Sequence, residues 1–277
     1  MASGRAFDHV VLAVRDLART AAIYETLGFT LTPRAAHEDR MGTSNRLAQF
    51  QERNFIELLE VDRPEKLAPH DFAAELPFFS FGDHNRRAVA RRDGLSMLVF
   101  AGDDARADIS GFKAAGVPTF QAFDFERLGR MPDGTQVTLA FSLGFAQSPE
   151  MPEVAFFVCE NRAPNAFWKP EYQAHANGAT GITAVYLVSP APERDAGFVS
   201  KMFGGEIGAM PGGGFRVACG PTQELRIITP QDLSRRDRSL EALDPNETHL
   251  VGIALRALES GGFTPAAQAG GMFIEWV

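Results

Sequence analysis

Cysteine, long apolar runs and excess positive charge are all scarce in this 277-residue chain. The two cysteines, Cys159 and Cys219, lie in separate strand-like segments, so they form no CxxC redox or zinc motif and are expected to be buried thiols. No stretch approaches the roughly 20 apolar residues that span a bilayer, and the first residues lack the apolar core of a signal peptide. The net charge of −8 disfavours nucleic acid and anionic membranes as partners. We therefore expect a cytoplasmic protein that binds small molecules.

The first clear pattern is a strand that runs directly into a helix. Residues 7–14 are rich in Val and Leu, as expected of a strand that is buried on both faces. Asp16 is a typical helix N-cap, because its carboxylate accepts hydrogen bonds from the free N–H groups of a first turn. Apolar residues at spacings of three to four positions predict a helix over residues 18–26, and Gly28 suits the left-handed conformation that ends it.

Two polar residues interrupt apolar strands in the first quarter of the chain. His9 shares a strand face with Phe7 and Val11, and Glu57 lies between apolar neighbours in the predicted strand 54–61. A lone carboxylate in such surroundings is costly unless a positive group or a strong donor meets it. The sequence therefore offers an imidazole and a carboxylate that can converge inside one βαβββ unit. The alternative is a structural pair of buried polar groups that satisfy each other or the backbone.

The opening pattern recurs along the chain, which indicates internal repeats. The predicted strands and following helices are 7–14 with 18–26, 95–101 with 105–115, and 181–188 with 190–203. Turn signals such as Pro132-Asp133-Gly134 separate the later strands of each copy. The last copy begins near His249 and has no full helix. Residues 63–93 and 229–246 have weak periodicity and are predicted to be connections.

Four segments carry a resemblance to a known family. The strings DHVVLAVRDL, LGF, GTSNRLAQF and NFIELLEV resemble a glyoxalase-like module of the vicinal oxygen chelate superfamily, over roughly residues 7–62 and more weakly afterwards. The resemblance implies an α+β fold of tandem βαβββ modules in two curved mixed sheets, with the fourth module abbreviated. We expect residues 1–165 to form one glyoxalase-like domain of two modules, and residues 166–277 to form a second.

The resemblance also implies a metal site. Metal-binding members of the superfamily use a His on the first strand and a Glu on the fourth strand of a module, and these positions match His9 and Glu57. The implied ion is divalent, one of Zn, Ni, Fe, Mn or Co. At the corresponding places the other modules present Ser96 and Phe157 or a neighbour, Thr183 and Arg226, and finally Glu275. If the first and fourth modules share a cavity, Glu275 becomes a third ligand or a general base.

Further residues are candidates for substrate binding. A predicted strand is preceded or begun by His37, Asn45 and Arg46, and the family has a similar His and a G-T-x-N motif at this place. The guanidinium of Arg46 can bind both oxygens of a carboxylate. The alternative is a hairpin with turn-forming residues and a solvated Arg46. In the segment 167–179, Trp168 can form the wall of a pocket and His175 can face into it. The alternative for this segment is a bridging loop.

Two classes of function remain open from the sequence. The first is a metal-dependent lyase, isomerase or dioxygenase that acts on a small oxygen-rich molecule, with His9 and Glu57 as metal ligands and Glu57 or Glu275 in catalysis. The second is a metal-free protein that binds or sequesters a small molecule in a cavity lined by some of its 23 phenylalanines. A homodimer is an expectation on family grounds. The sequence does not say which modules pair.

Overall fold

The strands form an eight-stranded and a seven-stranded mixed sheet in the computed structural model, which describes residues 4–130, 135–258 and 261–277. The first sheet contains β1 (Phe7–Val14), β2 (Ala35–Ala36), β3 (Ser44–Gln49), β4 (Phe55–Glu60), β5 (Gly94–Gly102), β6 (Phe123–Arg130), β7 (Gln136–Ala146) and β8 (Ala155–Asn161). The second contains β9 (Gly181–Val188), β10 (Ile207–Ala209), β11 (Phe215–Cys219), β12 (Gln223–Ile228), β13 (His249–Arg256), β14 (Phe263–Thr264) and β15 (Phe273–Trp276).

Helices connect the strands of each module. They are α1 (Leu17–Thr26), α2 (Phe81–Arg91), α3 (Ala105–Ala114), α4 (Pro164–Phe167), α5 (Pro192–Phe203) and α6 (Pro230–Arg236). Short 3₁₀ turns lie at Asp39–Met41, Pro170–Tyr172, Pro211–Gly213, Arg238–Leu240 and Ala266–Gln268. None of the helices in the described part of the chain has the length and apolar character needed to cross a membrane.

The strand order resolves which modules pair. The first sheet runs β2-β3-β4-β1-β5-β8-β7-β6, with β1 parallel to β4 and antiparallel to β5. The second sheet repeats this arrangement, with β9 between β12 and β13. The first two modules therefore share one sheet and the last two share the other. The predicted α+β fold of tandem βαβββ modules is confirmed, including the abbreviated fourth module, in which the described residues between β13 and β14 form no helix.

Local signals explain where the first helix begins and ends. The Asp16 side chain accepts a hydrogen bond from the backbone N–H of Arg19, and Gly28 has a φ of +87° just after the helix. The predicted helix is thus confirmed, with one residue more at its start. Both cysteines are buried free thiols, as expected. The turn predicted at Pro132-Asp133-Gly134 lies outside the described residues.

The two predicted connections contain helices, which corrects the sequence interpretation. Helix α2 lies within residues 63–93 and helix α6 lies within residues 229–246. Each begins with a capping side chain, since Ser80 accepts from the N–H of Asp83 and Thr229 accepts from the N–H of Asp232. A Ser or Thr followed three residues later by an acidic residue is a helix-start signal, and it outweighs the weak apolar periodicity of these segments.

Three apolar clusters follow from the faces of the two sheets. The largest joins one face of both sheets with the buried sides of α1, α3 and α5, and in it the rings of Phe100 and Phe203 stack with centroids 3.7 Å apart. A second cluster covers the opposite face of the first sheet, and a third covers the opposite face of the second sheet. Because side chains alternate along a strand, each inner strand contributes to two clusters. The second cluster surrounds the candidate site.

Candidate active site

A cavity of about 50 Å³ lies on the face of the first sheet that carries the second apolar cluster. Its apolar lining is dominated by aromatic rings, namely Phe55, Phe81, Phe125, Phe141, Phe157 and Phe167. Its polar lining consists of Asp8, His9, His37, Asn45, Glu57, Arg127 and Asn161. Strands β1 to β4 of the first module supply most of the polar side chains, and the second module supplies most of the rings. We call this space the first-sheet cavity.

Glu57 is the central acidic group of the cavity. Its side chain extends from β4, is only 4% exposed as a residue, and accepts a hydrogen bond of 2.6 Å at Oε1 from the Asn45 amide. Desolvation by burial raises the pKa of Glu57 above its ordinary value, against the smaller opposing effects of His9 and Asn45. A carboxylate whose basicity is raised by burial is suited to accept a proton from carbon.

His9 faces Glu57 with its orientation fixed from two sides. Its ring stacks on Phe55 with centroids 4.2 Å apart, and its Nδ1–H donates to Asp8 Oδ1 at 2.5 Å. This tautomer is assigned from the hydrogen bond and leaves Nε2 free to accept. Nε2 lies 3.7 Å from Glu57 Oε2, which is too long for a direct hydrogen bond. One ligand atom or a water can bridge the two groups.

His37 completes the polar network on the other side of Glu57. Its Nδ1 lies 2.8 Å from Thr43 Oγ1, and the Asn45 amide donates to its Nε2 at 3.2 Å. Nε2 is also 3.5 Å from Glu57 Oε1. Burial, followed by the positive charges of Arg127 and Arg63, lowers the pKa of His37 to about 3, so the ring is neutral near pH 7. His37 therefore acts as a hydrogen-bonding group and carries no charge.

Asn45 leaves one polar atom unsatisfied in this network. Its amide nitrogen serves both Glu57 and His37, while its Oδ1 is buried and has no hydrogen-bond donor among the described residues. A buried acceptor without a donor costs free energy unless a water or a ligand supplies one. Oδ1 is thus an acceptor that is available to a hydroxyl or an amide of a bound molecule.

Three polar cavity residues were missed by the sequence interpretation, namely Asp8, Arg127 and Asn161. Asp8 reaches the cavity beside His9 because a β-bulge at Asp8 breaks the alternation of β1. Arg127 follows Phe123 and Phe125 on the inward face of β6, whose outward positions are exposed. The bulge left no signal in the sequence. The alternating pattern Phe-x-Phe-x-Arg could have identified Arg127 as an inward-pointing cation.

Three of the predicted substrate-binding residues lie outside the first-sheet cavity. Arg46 alternates with Asn45 on β3, so it faces the other way, donates to the Thr32 carbonyl and pairs with Glu25. His175 is bound by the backbone, since its Nδ1 accepts from the Thr30 N–H and its Nε2–H donates to the Gln49 carbonyl. This corresponds to the bridging-loop alternative. Trp168 packs behind the wall, edge-on to Phe55 and Phe167.

Glu275 lies in the second sheet, so it does not join His9 and Glu57. The register places it at the equivalent position in the fourth module, because Gly252 pairs with Phe273 as His9 pairs with Phe55. There it accepts hydrogen bonds from Tyr186, from Arg226 at 3.1 Å and from Arg236 at 3.2 Å. These partners occupy both carboxylate oxygens. The second sheet thus holds a closed ionic cluster where the first sheet holds the cavity.

The bulges also fix the equivalent positions in the other modules. Strand β5 is bulged at Ser96 as β1 is bulged at Asp8, so Met97 corresponds to His9 and Phe157 to Glu57. In the third module the bulge at Thr183 makes Ala184 the counterpart of His9, and Arg226 remains the counterpart of Glu57. The predicted places of Ser96 and Thr183 are corrected by one residue. The prediction for Phe157 is confirmed.

The donor set of the cavity can be compared with the metal centre that the resemblance implies. A catalytic metal site requires about three protein ligands. In residues 4–130, 135–258 and 261–277, no three His, Cys, Asp or Glu side chains are arranged to hold one ion. His9 and Glu57 converge as predicted, but the second module contributes Met97 and Phe157, and Arg127 adds a positive charge. The described donors therefore do not fit that metal centre.

Comparisons with known proteins identify relatives of this chain. The family model described as "Glyoxalase-like domain" matches residues 7–203. A search of curated proteins finds no match. A hypothetical protein from Staphylococcus aureus has a similar structure, with a TM-score of 0.73, 15% identity, and coverage of 98% of this chain and 99% of that one.

Two solved structures with assigned names share the fold. A mutant of 4-hydroxymandelate synthase from Streptomyces coelicolor has a TM-score of 0.56 and 15% identity, over 99% of this chain and 92% of its own. The Mn(II)-bound glyoxalase from Novosphingobium aromaticivorans has a TM-score of 0.54 and 13% identity, over 100% of this chain and 82% of its own. At these identities the likeness establishes the fold alone.

Proposed function

Because the chain belongs to the glyoxalase-like domain family of the vicinal oxygen chelate superfamily, we propose that its first-sheet cavity is an active site for a small oxygen-bearing molecule. The reaction is the removal of a proton from a carbon next to a carbonyl group, as in an isomerase or a lyase. One observation carries the proposal: Glu57, buried and raised in pKa, faces the open space beside His9 Nε2 while Asn45 holds its other oxygen.

The proton and the electron pair have defined destinations in this reaction. The substrate C–H proton moves to Glu57 Oε2, and the electron pair of the broken bond moves toward the substrate carbonyl oxygen to form an enolate. Arg127 places a positive charge in the same cavity, where a low dielectric strengthens its attraction for that oxygen. Return of the proton from Glu57 to the original carbon regenerates the carboxylate and the substrate, which amounts to hydrogen exchange. With a 2-hydroxy carbonyl compound, delivery of the proton to the neighbouring carbon, while His9 relays the hydroxyl proton to the former carbonyl oxygen, completes an isomerisation and regenerates the carboxylate.

The neighbours of Glu57 prepare it for this role. Asn45 donates to Oε1 and leaves Oε2 directed at the gap toward His9. Asp8 holds the His9 ring in the tautomer whose Nε2 accepts, so His9 can bind a substrate hydroxyl or relay the proton. The phenylalanine rings surround Glu57 with apolar surface, and its burial raises the pKa of this carboxyl, which keeps it basic.

Deuterium exchange tests the proposed proton transfer. The protein is incubated in D₂O with a panel of small aldehydes, ketones and 2-oxo acids, and exchange at the carbon next to the carbonyl is followed by NMR. We expect exchange with at least one compound, and a loss of at least about 100-fold in Glu57→Gln, the usual scale for removal of a general base. Glu60→Gln is the matched control, since Glu60 lies on the same strand and pairs with Arg34 at the surface. Equal exchange in Glu57→Gln, or none in the wild type, would refute the proposal.

Metal analysis separates this function from the metal-dependent alternative. We expect wild-type protein, dialysed against metal-free buffer and then offered divalent ions, to retain less than one ion per chain, and its exchange activity to survive chelation. Stoichiometric metal that is lost in both His9→Ala and Glu57→Gln, with activity that chelation abolishes and a divalent ion restores, would instead support a metal-dependent enzyme.

A further inference from the structure

Arg127 is a cation on the core-facing side of a strand. It follows Phe123 and Phe125 at alternate positions of β6, both of which are buried, whereas Leu128 on the other face is 71% exposed. The Arg127 side chain lines the first-sheet cavity and is partly buried. Placing a guanidinium in an aromatic cavity carries a desolvation cost that a bound partner normally offsets.

No such partner is present among the residues that the structure describes. The guanidinium of Arg127 makes no ion pair and no hydrogen bond with a described residue, in contrast to Arg106 and Arg162, which both pair with Asp124 beside the same strand. The charge of Glu57 acts on Arg127 through the cavity and partly opposes the lowering of its pKa by burial. That carboxylate accepts a hydrogen bond from Asn45 and makes none with Arg127.

We propose that Arg127 binds the carboxylate of the substrate, so that the first-sheet cavity selects small carboxylic acids. This inference rests on the proposed function and names its substrate class. The planar fork of a guanidinium offers two parallel N–H donors, which match the two oxygens of a carboxylate. The other face of the substrate then lies toward Glu57 and His9.

The size of the cavity restricts the acid further. A cavity of about 50 Å³ is small for a ligand site, which favours small acids over large ones. The aromatic walls favour a short apolar or carbonyl-bearing chain over a polyol. Short-chain monocarboxylates and 2-oxo acids are therefore the expected substrates.

Matched acid and amide pairs test the inference by ligand-observed NMR titration. The probes are propionate against propionamide and pyruvate against pyruvamide, which share a shape and differ in charge. We expect each acid to bind the wild type at least about tenfold more tightly than its amide, a difference of about 1.4 kcal/mol. Arg127→Gln should abolish this preference, and Arg127→Lys should retain part of it, because lysine keeps the charge without the fork. The control Arg106→Gln removes an exposed arginine next to the same strand and should change nothing.

Several results would overturn the inference. These are equal binding of acid and amide, a preference that survives in Arg127→Gln, or no binding of either acid to the wild type. Thermal melting of each variant confirms that it is folded, and Arg127→Lys provides the comparison if Arg127→Gln is not. Selective binding of acids without deuterium exchange would refute the proposed proton transfer and leave the role of Arg127 standing. Deuterium exchange on neutral carbonyl compounds alone would support the proposed proton transfer and would refute the role of Arg127 in binding a carboxylate.

Discussion

Buried histidines make the free energy of unfolding of this protein depend on pH. His84 lies on α2, where its Nε2–H donates to the Ser96 carbonyl at 3.2 Å, and burial lowers its pKa to about 4. When the pH is below the ordinary histidine pKa of about 6.5, the histidine of the unfolded chain binds a proton, whereas the buried histidine of the folded chain stays unprotonated. The free energy of unfolding should therefore fall as the pH decreases from about 6.5 to about 4, with His37 contributing in the same direction.

His84→Gln isolates one of these contributions. Glutamine keeps a donor for Ser96 and does not titrate, so the variant should lose less stability than the wild type between about pH 7 and pH 4.5. Urea denaturation at several pH values measures the two slopes. A variant whose stability falls as steeply as that of the wild type would show that His84 does not remain neutral in the folded chain.

The residues of the candidate site differ in how far the sequence reveals them. His9, Glu57, His37 and Asn45 were recognisable because a polar side chain in an apolar strand, or in a matching motif, requires a reason to be there. The role of Arg46 could not be decided, because the alternation that turns it away from Asn45 depends on the strand register. His175 had the composition of a site residue, but its partners are backbone groups of distant segments, which a sequence does not display.

At the scale of elements, the ionic cluster of the second sheet should contribute to stability. Glu275 on β15 is the shared acceptor of Arg226 on β12 and Arg236 at the end of α6. Glu275→Gln leaves Arg236 without a carboxylate partner among the described residues and leaves Arg226 with Glu224 alone, so we expect a loss of about 1 kcal/mol of unfolding free energy. Chemical denaturation at low and high salt measures this loss, which salt should reduce. Unchanged stability at low salt would show that the cluster contributes nothing.

Substitution by alanine should have opposite effects on stability at two glycines, one in a helix and one in a strand. A methyl group added to Gly197 in α5 meets nothing within 4 Å, so Gly197→Ala should stabilise the protein by about 0.5–1 kcal/mol. A methyl group added to Gly252 in β13 would lie 2.4 Å from the Phe273 ring, so Gly252→Ala should destabilise it. Thermal melting of both variants tests the pair. Equal effects would show that the local space around each glycine does not decide the outcome.

The elements themselves were largely predictable, and the exceptions have a physical cause. The strands and helices of each module carry clear periodicity together with caps such as Asp16, which is why their bounds were anticipated closely. Helices α2 and α6 carry little apolar periodicity and are started by Ser80 and Thr229. The bulges at Asp8 and Ser96 shift the register by one residue, and a sequence repeat does not reveal such a shift.

For the whole molecule, the sequence indicated repeated modules but not their pairing. Any two βαβββ modules can in principle form a sheet, and the choice depends on which first strands lie side by side. The structure places β1 beside β5 and β9 beside β13, which puts Glu57 and Glu275 in separate sheets. The two halves are nevertheless joined by the largest apolar cluster, which draws on both sheets and on α1, α3 and α5. Neither half has a complete core of its own.

This shared core predicts that the two halves unfold together. Phe203 on α5 belongs to the second half, yet its ring stacks on Phe100 and meets Phe112 edge-on, and both of these belong to the first half. We expect a single calorimetric transition whose calorimetric and van't Hoff enthalpies agree. Phe203→Ala should remove about 3–5 kcal/mol and shift that whole transition to lower temperature. Two separate transitions, with only the second-half transition moved by Phe203→Ala, would show that each sheet folds as an independent domain despite the contacts between them.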